Sequence, residues 1–143
     1  MQTRATPFGY IVVLDRGDEL IRSLIEFARH HEVEAATLHG LGAVDHVELG
    51  FYDLEDQDYI RRAFEGDMEV CALHGNLSLL DGEPFPHVHG VFGLRDFSTV
   101  GGHVFEAVCS VTLELSIHTA PEPIVRRPVD FCNLKLLKLE ETE

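Results

Sequence analysis

The chain has no tryptophan, few cysteines and a shortage of positive charge. No apolar run approaches the roughly 20 residues that a membrane-spanning helix needs. "MQTRATPFGY" holds no secretory hydrophobic segment, so a cytoplasmic location is expected and a membrane partner is not. The three cysteines, Cys71, Cys109 and Cys132, are odd in number and far apart in apolar sequence. That pattern excludes a disulfide framework and reads as reduced, buried thiols. Lys and Arg total 11 against 25 Asp and Glu, a formal charge of −14. Such a surface repels polyphosphate, which argues against nucleic acid as a direct partner. The usual nucleophile and nucleotide signatures are missing too. There is no G-x-S-x-G and no Walker or dinucleotide fingerprint, and "GLGAV" is too short to count as one.

What is present is a soluble-type composition, 45% apolar and 25% charged over 143 residues. A chain of this size buries roughly two thirds of its unfolded surface, and nothing in it marks a linker or repeat. One domain, residues 1–143, is expected. "FGYIVVLDRGD" reads as a strand from Phe8 to Leu14 that ends in a turn at Gly17. Asp18 is then the expected N-cap of an amphipathic helix carrying Leu20, Ile21, Leu24, Ile25 and Ala28 to about His31. His30 and His31 fall at its C-terminus, where the helix dipole favours charged imidazole.

From Ala35 the hydrophobic period changes to two. Strands are expected near 35–39, 43–52, 69–74, 76–80, 87–93, 103–108, 110–118 and 131–139. The acidic stretch 53–67 reads as a solvated crossing with a helical turn around Tyr59 to Phe64. "HTAPEPIVRRPVD", with Pro121, Pro123 and Pro128, reads as an extended surface segment. The expected fold class is α+β, a curved, mostly antiparallel sheet of barrel or sandwich type with one main helix packed on it.

The chemistry lies in "PFPHVHGVFGL" and "VGGHVF". Side chains alternate across a strand, so His87 and His89 share a face about 7 Å apart and can bracket one cation. His103 follows after a loop whose Gly101 and Gly102 permit close backbone approach, which makes it the candidate third ligand. Three neutral imidazoles with an open position suit zinc, with Fe, Ni, Co and Mn also compatible by ligand type. Glu114, on the polar face of "SVTLELSIH", is a candidate fourth ligand, ligand-orienting group or general base if that face shares the cavity. His39 and His74, each before a glycine at an expected strand end, read as turn residues, and His46 and His118 carry a weaker signal still.

As a set, "GLGAVDHVELGFYD", "GDMEVCALHGNLSLLDGEPFPHVHGVFGL" and "VGGHVFEAVCSVTLEL" resemble the plants-and-prokaryotes-conserved (PPC) domain, in that order. The shared features are Gly40 to Val44, Leu73 to Ser78, His87 to His89 and Gly101 to His103. The resemblance implies a curved antiparallel sheet with flanking helices, assembled as a homotrimer. The broad architecture is similar to acetolactate decarboxylase and to a zinc-dependent ester hydrolase, whose metal is held by an H-x-H and a later histidine. That parallel maps onto His87, His89 and His103. The family's plant members join the domain to an AT-hook. Here "VRRPVD" lacks the glycine and the further basic residues of such a hook. A partner-binding segment of the plant proteins aligns with Gly66 to Cys71.

The leading expectation is therefore a homotrimer holding a divalent metal, zinc first, that performs hydrolysis or carbonyl chemistry on an unidentified small molecule. The alternatives are a DNA-binding or regulatory module, as the family label implies, and an oligomeric protein-interaction scaffold.

Overall fold

The computed structural model describes residues 1–139. Strands β1 (Gln2–Thr6) and β2 (Gly9–Asp15) form a hairpin, followed by helix α1 (Leu20–His30). Two long hairpins dominate the rest. β3 (Ala36–Asp53) pairs with β4 (Asp58–Leu80), and β5 (Glu83–Gly93) pairs with β6 (Thr99–Thr119). The short strands β7 (Val125–Val129) and β8 (Cys132–Lys138) close the chain. The order is β1-β2-β6-β3-β4-β7-β8, with β5 pairing both β4 and β6. Strands β3 to β6 thus form a closed cycle of neighbours in an otherwise open sheet, partly ring-like and not a barrel. All pairings are antiparallel except one bridge between Leu79 and Val125. The expected α+β class holds.

One face of the sheet makes the core with α1. Leu20, Leu24, Phe27 and Ala28 pack against a layer that includes Val12, Leu14, Val88, Phe92, Val104, Leu113 and Leu115. The opposite face carries the histidines. The alternation that buries Val88 completely therefore turns His87 and His89 away from the core. No helix among the described residues is long and apolar enough to cross a membrane.

Several local expectations give way. The cap of α1 is Glu19, not Asp18: its carboxylate accepts from the amides of Ile21 at 2.9 Å and Arg22 at 2.7 Å. Asp18 instead pairs with the N-terminal ammonium at 2.9 Å. His31 packs its ring on Tyr10 and Phe27, and burial pushes its pKa down, which opposes the charge that the dipole favours. Cys71 is exposed, while Cys109 and Cys132 are buried.

Residues 58–67 are strand rather than a helical crossing. This end of the β3–β4 hairpin projects beyond the core, so most of its side chains are exposed and no apolar alternation marks it. Its loop is closed by Asp53, whose carboxylate accepts from the amides of Glu55 and Asp56. The glycines that read as turns lie inside long strands. A Cβ at Gly75 would come 2.4 Å from the His87 carbonyl oxygen, so glycine here serves close strand approach. Val125–Val129 is likewise a strand, and its Arg126 is only 5% exposed. The segment Gly66 to Cys71 runs within β4 and buries Met68 and Val70.

Phe92 is fully buried and Phe97 is 95% exposed, although both lie at the β5–β6 turn. Phe92→Ala is expected to cost about 3–5 kcal/mol in urea denaturation, and Phe97→Ala less than about 0.5 kcal/mol. Similar losses for the two would contradict the burial of Phe92 in the core.

Candidate metal centre

The three-histidine cluster is a product of register. His89 on β5 stands directly opposite His103 on β6, and His87 lies one pleat away on the same face. Strand β6 approaches both of its neighbours here, β5 and β3, closely because the contacts fall on glycine. A Cβ at Gly101 would lie 2.9 Å from the Gly90 carbonyl oxygen, and one at Gly102 would lie 2.7 Å from that of Gly50. The expected role of the Gly-Gly pair is met, although both residues sit in β6 rather than in the loop.

One ring nitrogen of each histidine lies within 4.8 Å of those of the other two. The Nε2 atoms of His87 and His89 are 3.2 Å apart. A tetrahedral ion with bonds of about 2.0–2.1 Å needs donor atoms about 3.3 Å apart, so this pair is already at coordination spacing. His103 Nδ1 is buried with no hydrogen-bond partner among the described residues. Leaving such a nitrogen unused is costly, and a bound cation is one way for the ring to recover that cost. The donor set fits a divalent metal with an open position.

The electrostatics favour neutral ligands. Burial, then the Arg126 guanidinium, then His89 hold the His87 imidazole down to about 4. His103 is also held to about 4, by burial first and then by His87, His89, Arg61 and Arg126. His89, the most open of the three, is lowered by desolvation alone. Near neutral pH the metal-free cluster is uncharged, so an incoming ion meets no imidazolium.

Arg126 is the principal residue missing from the sequence reading. Its Nε donates to Ser78 Oγ at 2.9 Å, and Nη1 donates to the Lys135 carbonyl at 3.0 Å. Its Nη2 donates to Asn76 Oδ1 at 2.9 Å and meets His87 Nδ1 at 3.1 Å. A guanidinium can only donate, so in the metal-free cluster Nδ1 accepts, the proton of neutral His87 sits on Nε2 facing His89, and an ion bound at Nε2 must displace that proton. Two of its partners, Asn76 and Ser78, belong to the Leu73 to Ser78 motif, but no local pattern ties Arg126 to them across some fifty residues of chain. The far side of the cluster is walled by Tyr59 and Phe105, whose rings lie 5.2 Å and 4.7 Å from His103. Arg61 stacks over Phe105 at 3.5 Å.

The other candidates lie apart. Glu114 is exposed on the far half of β6, opposite Val13 and Leu41, and does not join the histidines within the chain. His39 and His74 sit mid-strand rather than at turns. They extend the cross-strand row from His103 through His89, both exposed and outside the cluster. His46 pairs with Glu65 at 2.7 Å, and the His118 ring lies 5.8 Å from that of His39.

The sequence profile of the Plants and Prokaryotes Conserved (PCC) domain, the family abbreviated PPC above, matches residues 1–121. No curated protein matches the chain. Among solved structures, a protein from Ralstonia eutropha JMP134 with a provisional DNA-binding label is 24% identical. The match covers 96% of each chain at a TM-score of 0.91. A metal-containing protein from Archaeoglobus fulgidus is 28% identical over 97% of this chain and all of its own, at a TM-score of 0.85. Acetolactate decarboxylase from Bacillus subtilis subspecies spizizenii is 16% identical, with a TM-score of 0.51. That match covers 76% of this chain and 52% of the enzyme.

The depressed histidines set a pH dependence. Unfolding releases rings that take up protons near pH 6.5, whereas the folded ones do so near 4. Metal-free protein should therefore hold its full stability above about pH 6.5 and lose it as the pH falls toward 4. NMR titration should place two imidazoles well below the ordinary histidine range. Three ordinary titrations near 6.5 would contradict the burial of the cluster.

Proposed function

The chain belongs to the Plants and Prokaryotes Conserved domain family, and from that premise and the geometry above we propose that it is a metal-binding protein acting on a small molecule. His87, His89 and His103 hold a divalent cation, zinc in first place, in a cytoplasmic homotrimer. The observation that carries the reading is the meeting of three imidazole nitrogens within 4.8 Å on neighbouring strands. The metal-containing protein of the same fold, 28% identical, supports it.

Bound there, the ion supplies Lewis acidity for polarising a carbonyl or activating water. The chain's own residues do the rest. Arg126 fixes the His87 ring through Nδ1, and β5–β6 pairing fixes the other two. Tyr59 and Phe105 shield His103 from water on one side. Glu114 is not placed to serve as a proton shuttle within one subunit.

A DNA-binding role finds little support, because the formal charge of −14 opposes the phosphate contacts that dominate such affinity. Gel-shift titration at low salt is expected to show no complex at micromolar protein.

Elemental analysis of untagged protein should find about one metal per subunit, falling at least tenfold in His89→Ala. Light scattering should give three times the subunit mass. Metal content far below one per subunit, unchanged by His89→Ala, would overturn the metal site, and a monomer would overturn the trimer.

A further inference from the structure

The charge around the cluster is the reverse of the charge on the chain. Acidic residues outnumber basic ones by more than two to one, yet no carboxylate contacts any of the three histidines among the described residues. Ligating histidines commonly turn their second nitrogen toward a carboxylate or carbonyl. Here the second nitrogen of His87 faces a guanidinium.

Arg126 is 5% exposed, and its partners are a hydroxyl, a side-chain amide, a backbone carbonyl and the imidazole, all neutral. Among the described residues no carboxylate pairs with it; a buried cation without a counter-charge is costly, and arginine does not escape by losing its proton.

A second arginine adds to the excess. Arg61 pairs across β3 with Gly50, and Gly50 pairs with His103. Arg61 is therefore about 10 Å from His103 at the backbone, with no side chain at Gly50 between them. The space over Gly50 is filled by Phe105 and Tyr59 instead. Among the described residues, the carboxylate within 4.0 Å of Arg61 is Glu48, at 3.8 Å in a solvent-exposed pair.

We propose that the loaded site takes a small, singly charged oxyanion, a carboxylate, with Arg126 and Arg61 as the positive wall that selects it over a neutral isostere. The proposal rests on the metal reading above. A divalent ion raises the local positive charge further, and an anion at the open position restores the balance. The strongly negative surface disfavours multiply charged anions such as polyphosphates, which limits the ligand to low charge.

The full chain loaded with cobalt(II), a visible-absorbing substitute for zinc, provides the test. Sodium acetate and acetamide, alike in shape and different in charge, are titrated at pH 7.5 and constant ionic strength while the cobalt band is followed. Acetate should shift the band saturably and acetamide should not. Arg61→Gln and Arg126→Gln should each weaken acetate on the order of tenfold. Arg61 is half-exposed, so its substitution tests the charge even if the buried Arg126 variant fails to fold. Acetamide acting as strongly as acetate, or Arg61→Gln leaving acetate affinity unchanged, would overturn the proposal while leaving the metal site intact. Failure to take up cobalt would overturn both readings.

Discussion

The pairing of β5 with β6 sets His89 opposite His103, and the geometry of the site depends on it. A slip of one residue in that register would turn His103 toward the core and separate it from His87 and His89. The register is held from both sides. β5 also pairs with β4 and β6 also pairs with β3, so the hairpin is one half of a closed cycle of strands rather than a free flap. Glycines at 75, 101 and 102 let the backbones within this cycle approach to distances at which a side chain would clash, and Gly90 leaves room for the Phe92 ring.

The same alternation divides the work of the two faces. Val88, Phe92 and Val104 join the core with α1, on the side of the strands opposite the histidines. The C-terminal hairpin β7–β8 touches the site through Arg126, which spans from the Lys135 carbonyl to Ser78, Asn76 and His87. It is joined to the rest of the sheet by one bridge, so this buried side chain is a principal tie between the hairpin and β4. The guanidinium orients His87 and leaves a positive charge beside the three ligands.

The candidate ligands were legible in the sequence because strand alternation and glycine spacing are local signals. His87, His89 and His103 meet as the H-x-H and Gly-Gly-His patterns imply. The extent of the strands was not legible. Residues 58–67 extend beyond the core, so neither face carries the apolar period that marks a strand. Gly40 and Gly75 read as turns because chain proximity to another strand leaves no trace in a single sequence. Arg126 was hidden for the same reason: its partners lie on β4, β5 and β8, and a proline-rich setting made it look like surface. Glu114 was placed on a polar face correctly but on the far half of β6, since alternation gives the face and not the position along it.

An anomalous diffraction map at the zinc absorption edge, from crystals of protein purified without a tag, tests the central claim most directly. The account predicts one peak per subunit within about 2.0–2.1 Å of a ring nitrogen of each of His87, His89 and His103. A peak bound to other residues, or a fully ordered cluster with no peak in zinc-soaked crystals, would contradict it.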